Sequence, residues 1–256
     1  MTEEGKPEVH VYVIVPAAGQ SRRMGVGTNK QFLLVAGVPV LARTLLAFSE
    51  FEEAMRQVGP FVLHVVVVTS QTLLDETTAL IKAHNIHFVE ATIAGGETRQ
   101  ESVFLGIQAL ARLPRPPVPE DIVFVHDGAR CFVNKEILHR CLCGATDHGI
   151  CAAAVPVKDT IKQVVNHSGG KVQVTPDRES LFAVQTPQAF RYQLLVESYL
   201  HAKDTGIIAT DDTSLAESLG FAVYLVEGAY SNVKITTPED LLFAKLLLEK
   251  KEDDRP

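Results

Sequence analysis

Several features that would assign a protein to a common functional class are missing from this sequence. No stretch reaches 18 consecutive apolar residues, so we expect neither a transmembrane helix nor a membrane partner. The first ten residues, MTEEGKPEVH, are acidic and contain no hydrophobic signal segment, which favours a cytoplasmic protein. The four cysteines include no C-x-x-C pair, so reduced structural thiols are expected rather than a metal or redox site.

Positive charge is also scarce. The chain has 24 Lys and Arg against 31 Asp and Glu, a net charge of −7, which argues against a nucleic-acid-binding surface. A local cluster of Arg and Lys can still bind a small anion, because nearby charges matter more than net charge. With 256 residues, 46% of them hydrophobic, the chain is long enough for one large α/β domain or two small ones.

Apolar segments of strand length alternate along the chain with helical patterns. Some of these segments, such as HVVVVTS and DIVFVHD, are apolar without interruption, which is typical of parallel strands buried on both faces. The alternation predicts a single doubly wound, mostly parallel sheet with helices on both faces. The expected strands are 9–15, 61–69, 86–90, 122–126, 150–156 and 222–226, and the expected helices are 39–51, 71–84, 98–110, 135–147, 192–203 and 238–250.

One segment interrupts this alternation. Residues 157–178 contain two strand-like pieces around the turn cluster NHSGG at 166–170, which predicts a protruding β-hairpin arm. A two-stranded hairpin is marginally stable alone, so we expect it to pack on a second subunit. The sequence thus predicts one domain over 9–250 with this dimerisation arm, and flexible tails at 1–8 and 251–256.

The loop after the first strand, PAAGQSRRMGVGTNKQ at 16–31, is basic and contains glycine. It matches neither G-x-G-x-x-G nor G-x-x-x-x-G-K-[ST], so it is not a dinucleotide or P-loop fingerprint. Other predicted strands are followed by AGGETRQES, HDGAR and VKDT, and SNVKITT comes before the last helix. Ligands of open α/β sheets bind at the carboxyl ends of the strands. These loops together offer cations, hydroxyls and glycine-freed backbone amides to a polyphosphate.

Each of these features also has a purely structural explanation. Arg23 is compatible with a surface charge, Gly96 with a plain turn and Asp127 with a helix or turn cap. His126 is best explained as a structural histidine beside Asp127. Lys234 lies in an apolar, strand-like run, where a lysine needs a reason. A ligand-binding site is favoured because all of these residues lie at the ends of predicted strands.

Taken in order, the motifs resemble those of the 2-C-methyl-D-erythritol 4-phosphate cytidylyltransferases of the non-mevalonate isoprenoid pathway. The matching motifs are PAAGQSRRMG with NKQF, GGETRQESV, VHDGAR, PVKDTIK, QTPQAF after a DR pair, TDD and SNVKITTPEDL. They extend over residues 16–241, nearly the whole chain. The family commonly has Ala-Ala-Arg-Pro after His-Asp, where this chain has GARC at 128–131, a departure that removes no proposed contacting side chain.

The resemblance implies a Rossmann-like nucleotidyltransferase that joins CTP and a sugar-alcohol phosphate, with Mg²⁺ or another divalent cation held mainly by the CTP phosphates. Asp159, Arg130 and Arg99 are second choices for the site. The residues that the resemblance implies are catalytic Arg23, Lys30, Arg178 and Lys234; CTP-binding Ala17, Ala18, Gly19, Gly96, Glu97, Ser102 and Asp127; and acceptor-binding Thr160, Arg178, Thr186 and Thr210.

The chemistry of such a reaction agrees with these residue types. A phosphate monoester has a second pKa of about 6 and is mostly dianionic at neutral pH, so it needs no general base to attack. Catalysis then rests on positioning and on stabilising charge at the α-phosphate and the leaving pyrophosphate. The resemblance also implies that Thr160 and Arg178, on the arm, reach a neighbouring subunit of a homodimer.

Three other functions fit parts of the sequence. A pentitol-phosphate cytidylyltransferase, acting on D-ribitol 5-phosphate, would share the CTP site, but residues 157–162 and 176–178 are more similar to the methylerythritol phosphate enzymes. A nicotinamide-dependent oxidoreductase lacks its fingerprint loop, and the second strand ends in VVVVTSQ without an acidic residue. A non-catalytic nucleotide-binding module would not need Arg23, Lys30 and Lys234 together.

Overall fold

The computed structural model describes residues 7–19, 29–165 and 170–253, with side chains up to residue 249. Two short strand pairs stand apart from the main sheet: β2 and β3 pair with each other, as do β8 and β9. The strands are β1 (Val9–Pro16), β2 (Leu34–Val35), β3 (Val38–Pro39), β4 (Phe61–Thr69), β5 (Val89–Ala94), β6 (Ile122–Val125), β7 (Ile150–Pro156), β8 (Gln163–Val164), β9 (Val172–Val174), β10 (Phe182–Arg191) and β11 (Tyr224–Glu227). The α-helices are α1 (Val40–Arg56), α2 (Leu74–Ala83), α3 (Arg99–Leu110), α4 (Lys135–His148), α5 (Tyr192–Thr205), α6 (Asp212–Ser218) and α7 (Pro238–Asp253).

The main sheet has seven strands in the order β11-β7-β10-β6-β1-β4-β5. Its pairings are parallel except those of β10, which runs antiparallel to both β6 and β7. The predicted doubly wound, mostly parallel sheet is therefore confirmed. Among the described helices, none combines the length and apolar character needed to cross a membrane.

The sequence did not reveal β10. Its sequence, FAVQTPQAFR, is interrupted by Pro187, and a proline normally argues against a central strand because it cannot donate to the ladder. The structure accommodates it through a register shift of the β7 pairing between Val184 and Gln188. β10 thus keeps its place between β6 and β7 with the proline at an irregular point of the ladder.

Both faces of the sheet are buried, as the uninterrupted apolar strands predict. On β1, Val11, Val13 and Val15 belong to the core beneath α1 and α4, whereas Tyr12 and Ile14 belong to the core beneath α3 and α5. Successive side chains of one strand therefore enter opposite cores, which is the period of two expected for a strand. β1 is therefore an interior strand that contributes to both cores.

Most predicted element boundaries lie within a few residues of those observed. The largest differences are at β5, which begins three residues later than the expected strand at 86–90, and at α1, which runs beyond the expected 39–51. Helix α3 begins after Thr98, whose side chain forms a capping box with Glu101. At α7, the predicted cap Thr237 accepts from the Asp240 amide at 3.4 Å, and Asp240 caps Thr236 and Thr237 in return.

The predicted arm is present as the pair β8 and β9, and the turn residues 166–169 lie outside the described residues. Its side chains face solvent in this single chain. Val164, Val165, Val172 and Val174 expose 38%, 65%, 48% and 46% of their surface. Four exposed valines on a two-stranded hairpin leave the arm without a core of its own.

One glycine fixes how closely a helix approaches the centre of the sheet. Gly106, inside α3, faces Ile14 on β1, and a Cβ built on it would lie 2.5 Å from Ile14 Cγ2 and 3.3 Å from Val68 Cγ2. A branched side chain on a central strand cannot move aside easily, because its χ1 angle is fixed by the branch. The absence of a side chain at Gly106 therefore sets the distance between α3 and β1.

We expect Gly106→Ala to destabilise the protein despite the better helix propensity of alanine. Overpacking costs about 1–3 kcal/mol and the propensity gain is about 1 kcal/mol, so the free energy of unfolding should fall by up to about 2 kcal/mol. Denaturant unfolding measures this difference. Gln108→Ala, on the exposed face of the same helix, is the control and should change stability by less than about 0.5 kcal/mol. A Gly106→Ala protein as stable as this control would contradict the close-contact explanation.

Candidate active site

A cavity of about 590 Å³ opens at the carboxyl ends of the parallel strands. Its walls come from the segments that follow β1, β4, β5 and β6, from the short helix Lys30–Phe32, and from the segment before α7. This is the edge where open α/β sheets bind their ligands. The residues lining it are Pro16, Ala18, Gly19, Lys30, Gln31, Ser70, Gln71, Gly95, Gly96, Glu97, Thr98, Arg99, Ser102, Asp127, Ala129, Lys234 and Thr236.

The cavity brings together most of the residues assigned from sequence to the nucleotide site. They come from five separate segments of the chain, so only the fold makes them neighbours. Arg23 lies outside the described residues, and its role stays a prediction. The predicted residues that line the cavity are Ala18, Gly19, Lys30, Gly96, Glu97, Ser102, Asp127 and Lys234.

Asp127 is the central charge of this cavity. It follows β6 with only 9% of its side chain exposed, and each carboxylate oxygen accepts from a different cation. Arg99 Nε donates to Oδ1 at 2.9 Å, and Lys234 Nζ lies 2.6 Å from Oδ2. Burial alone would raise the pKa of Asp127, but the charges of Arg99 and Lys234 outweigh it and hold that pKa well below its usual range. Asp127 is therefore ionised at neutral pH.

Lys234 is held beside Asp127 by backbone anchors on both sides of it in sequence. Asn232, fully buried, donates from Nδ2 to the Thr186 carbonyl at 2.9 Å. The Ile235 amide donates to the Ala129 carbonyl at 2.8 Å. The position of a lysine in this apolar run is thereby explained: Asn232 and Ile235 are buried, while the side chain of Lys234 lines the cavity.

Arg99 joins the cavity to a second, deeper carboxylate. Its Nη1 and Nη2 donate to the two oxygens of Asp212 at 2.9 and 2.8 Å. Asp212 is fully buried at the start of α6, and the Tyr199 hydroxyl donates to it as well. The sequence ranked Arg99 only as a second choice and gave no role to Asp212, although Asp212 lies in the TDD motif. Tyr199 carried no functional signal in the sequence.

The glycine-containing turn before α3 uses its own amides. The Gly95 amide donates to the Thr69 carbonyl at 2.7 Å, and the Gly96 amide donates to Ser102 Oγ at 3.2 Å. The amides of Glu97 and Thr98 both donate to Glu101 Oε2. The glycines suggested that these amides are free to bind a phosphate, but the protein itself uses them.

The prediction that His126 is structural agrees with its surroundings. The ring is fully buried, Nε2 lies 3.1 Å from the Arg130 carbonyl and Nδ1 lies 3.2 Å from the Thr186 hydroxyl. A carbonyl only accepts, so Nε2 carries the proton, and Thr186 donates to Nδ1 while accepting from the Asp127 amide. Burial lowers the pKa of His126 to about 4, so the ring is neutral and supports the Asp127 loop.

Several other predicted residues lie outside the cavity lining. Ala17 is buried and its amide donates to the Val68 carbonyl; Thr186 is buried beneath Asp127. Thr160 and Arg178 are exposed on the arm, where Arg178 Nη1 donates to the Lys158 carbonyl at 3.1 Å. Their ligand contacts stay predictions. Of the remaining residues, Thr210 is exposed, Asp159 is exposed on the arm, and Arg130 donates to the Asn232 carbonyl.

The donor set of the cavity suits a metal ion that arrives with its ligand. No cluster of three or more His, Cys, Asp or Glu side chains able to hold a metal ion occurs in the described residues, and Asp127 is the carboxylate that contacts Lys234. Mg²⁺ bound to phosphates commonly takes only one or two protein carboxylates. The residues present therefore fit Mg²⁺ carried mainly by phosphates.

Comparisons with known proteins give one consistent result. The sequence profile of the 2-C-methyl-D-erythritol 4-phosphate cytidylyltransferase family matches residues 11–250. The chain is similar to the enzyme of that name from Geobacillus kaustophilus, with 45% identity over 235 residues, 92% of this chain and 95% of the relative. It is also similar to the one from Halalkalibacterium halodurans, with 42% identity over 240 residues, 94% of this chain and 97% of the relative.

Solved structures agree with the sequence comparison. The 2-C-methyl-D-erythritol 4-phosphate cytidylyltransferase of Thermus thermophilus superposes with a TM-score of 0.68 at 32% identity, covering 95% of this chain and 100% of that one. The 4-diphosphocytidyl-2C-methyl-D-erythritol synthase of Anaerococcus prevotii gives a TM-score of 0.76 at 27% identity, covering 94% and 96%. Family profile, sequence relatives and structural neighbours each extend over nearly the whole chain, and on these grounds the protein belongs to the 2-C-methyl-D-erythritol 4-phosphate cytidylyltransferase family.

Proposed function

We propose that this protein transfers CMP from CTP to 2-C-methyl-D-erythritol 4-phosphate, forming 4-diphosphocytidyl-2-C-methyl-D-erythritol and releasing pyrophosphate. Family membership supports this reaction, and the geometry of the cavity supports it independently. The observation that carries the proposal is the placement of Lys30 and Lys234 around the buried, ionised Asp127 at the carboxyl ends of the strands. This is a cationic site for a polyphosphate, with one carboxylate for a hydroxyl or a phosphate-bound metal.

The reaction needs little from the protein in the way of proton transfer. The acceptor phosphate is mostly dianionic at neutral pH and attacks the α-phosphorus of CTP directly, while the bond from that phosphorus to the bridging oxygen of pyrophosphate breaks. Negative charge then accumulates on the α-phosphate and the leaving pyrophosphate. Lys30 and Lys234 are placed to stabilise that charge, which is the largest contribution available in a site without a base.

The turn before α3 supports selection of a cytosine base. Because the amides of Gly95, Gly96, Glu97 and Thr98 are used within the protein, we assign any contact of this turn with a ligand to its carbonyl oxygens. Carbonyl oxygens accept from the exocyclic amine of cytosine and cannot pair with the carbonyl that uracil carries in its place. We assign this turn to base recognition.

A divalent cation, Mg²⁺ in the first instance, belongs to the proposal. Asp127 would hold it together with the CTP phosphates, and the ion would supply positive charge to the triphosphate. Lys234 would then direct its ammonium to a phosphate rather than to Asp127. We also assign the enzyme to the cytoplasm, in keeping with its four free cysteines.

A homodimer is the remaining part of the proposal. Thr160 and Arg178 are carried by an arm that exposes Ile161, Val165 and Val174, and none of its described residues lines the cavity of its own chain. Packing against a second copy would bury these apolar side chains and bring the two polar ones to the partner's cavity. We infer that the acceptor side of each site is completed by the arm of the other subunit.

The reaction itself is tested by incubating the protein with CTP, Mg²⁺ and each of two acceptors, and measuring pyrophosphate release. We expect faster turnover with 2-C-methyl-D-erythritol 4-phosphate than with D-ribitol 5-phosphate. Because of the carbonyl-lined turn, UTP should replace CTP poorly. Faster turnover of the ribitol phosphate would assign the chain to the pentitol-phosphate enzymes instead, and no turnover with either would reject the proposal.

Loss of the Lys30 ammonium should reduce turnover far more than it reduces binding. For Lys30→Ala we expect kcat to fall by about 10²-fold or more, the effect of removing one donor to a transition-state anion. Steady-state kinetics and CTP titration calorimetry separate the two effects. Lys82→Ala, an exposed lysine at the end of α2, is the matched control and should leave both unchanged. Equal kcat in the two variants would remove Lys30 from the mechanism.

A charge placed on the arm should weaken the dimer, and activity should be lost at the protein concentrations at which the subunits separate. For Val174→Asp we expect the dissociation constant of the dimer to rise by about tenfold or more, since an unpaired carboxylate would be buried at the interface. Sedimentation measures the dimer, and kcat is measured at the same protein concentrations. Val118→Asp, at an equally exposed valine outside the arm, is the control. A Val174→Asp protein that stays dimeric, or an active monomer, would contradict the shared site.

A further inference from the structure

The deepest charged group near the cavity has no part in the mechanism described so far. Asp212 exposes none of its surface and does not line the cavity. A buried ion pair rarely adds stability over an apolar replacement, because removing two charges from water is costly. Asp212 nevertheless accepts three side-chain hydrogen bonds, two from Arg99 and one from Tyr199. The buried carboxylate of Asp212, with both oxygens hydrogen-bonded and only Arg99 between it and the cavity, calls for a functional explanation.

The surroundings of Asp212 make it immobile. Gln188 on β10 accepts from the amides of Asp212 and Thr213 at 2.9 and 3.0 Å, and it donates to Asp211 Oδ2 at 2.8 Å. Asp211 in turn caps α6 by accepting from the Ser214 amide. The central sheet, the start of α6 and the hydroxyl from α5 therefore all fix one carboxylate.

The two cations on Asp127 are held very differently. Arg99 binds both oxygens of Asp212 through its fork, and bidentate pairing of this kind fixes the plane of the guanidinium. The fork turns Nε toward Asp127. Lys234 makes a single contact with Asp127, exposes 36% of its side chain, and carries its charge on a flexible stem. An incoming phosphate can therefore attract Lys234 away from Asp127 but cannot attract Arg99.

We propose that Asp212, supported by Tyr199, is a positioning residue that keeps Arg99 as the permanent partner of Asp127 and prevents Arg99 from binding the anionic substrate or product. Lys234 is then free to move to the phosphates while Asp127 stays in place with one cation. Arg99 faces the cavity with 29% of its side chain exposed, so without Asp212 its charge would act on the triphosphate and on pyrophosphate. This role rests on the function proposed above.

The test compares two hydroxyl deletions on α5. Tyr199→Phe removes only the hydroxyl that donates to Asp212, and Ser198→Ala removes a neighbouring buried hydroxyl that donates to the Leu194 carbonyl and has no link to Arg99. Asp212→Asn is the stronger variant, because an amide NH₂ would face the Arg99 fork. For each protein, kcat and KM for CTP are measured by chromatography, pyrophosphate binding by calorimetry, and unfolding by heat.

For Asp212→Asn we expect kcat to fall and pyrophosphate to bind more tightly, each by about tenfold, the scale of one charge-assisted hydrogen bond. Tyr199→Phe should change both quantities in the same direction by a smaller factor, while Ser198→Ala leaves them within twofold. A merely structural role would lower the unfolding temperature of all three without tightening pyrophosphate binding. That result would overturn the proposal. So would a Tyr199→Phe protein whose kcat and pyrophosphate affinity match those of Ser198→Ala. This second comparison tests the proposal even if Asp212→Asn does not fold.

The two proposals fail separately in this design. If the unaltered protein turns over neither acceptor, the proposed function is wrong, and the pyrophosphate affinities alone still report whether Asp212 restrains Arg99. If the unaltered protein is active and the affinities do not change, the reaction stands and the positioning role is wrong.

Discussion

The charge on Asp127 is the constraint around which the site is arranged. A carboxylate with so little exposure is unfavourable unless cations surround it, and this chain supplies Arg99 from the start of α3 and Lys234 from the segment before α7. The backbone beneath it is held as well, because the Thr186 hydroxyl on β10 accepts from the Asp127 amide and donates to His126. These groups reach Asp127 from separate elements, so the ionised carboxylate is the point at which they meet at the carboxyl edge of the sheet.

The antiparallel strand β10 is what makes this arrangement possible. It lies between β6 and β7 and brings Thr186 under the Asp127 amide and Gln188 against α6. Gln185, on the same strand, donates to the Ala229 carbonyl near the segment that carries Lys234. A purely parallel sheet would place a helical crossover at this point instead of a row of buried polar side chains. β10 therefore supports both the anion and one of its cations.

Close approach of backbones explains the other wall of the cavity. A Cβ on Gly95 would lie 2.6 Å from Ser102 Oγ and 2.9 Å from Ala18 Cβ, and one on Gly96 would lie 2.5 Å from Glu101 Cβ. The turn can therefore fold tightly against β1 and α3 only with glycine at both positions. The same tight fold lets the protein use the amides of the turn itself, in bonds to Thr69, Ser102 and Glu101.

Much of this protein was determined by its sequence alone. Uninterrupted apolar strands such as Ile122–Val125 predict a parallel sheet buried on both faces, because such a sheet has no solvent-facing side. The family motifs at strand ends located the cavity through Ala18, Lys30, Asp127 and Lys234. Apolar strands and family motifs can be identified from the sequence because each depends on a few consecutive residues.

The tertiary structure alone decided which residues distant in the sequence contact one another. The place of β10 was hidden by Pro187, whose effect depends on which ladder bonds its neighbours require. The link from Asp127 through Arg99 to Asp212 joins residues 127, 99 and 212, and no spacing rule connects them. The sequence therefore names the charges of the site, whereas only the packing of α3, α6 and β10 decides which charge holds which, because pairing depends on distance and burial.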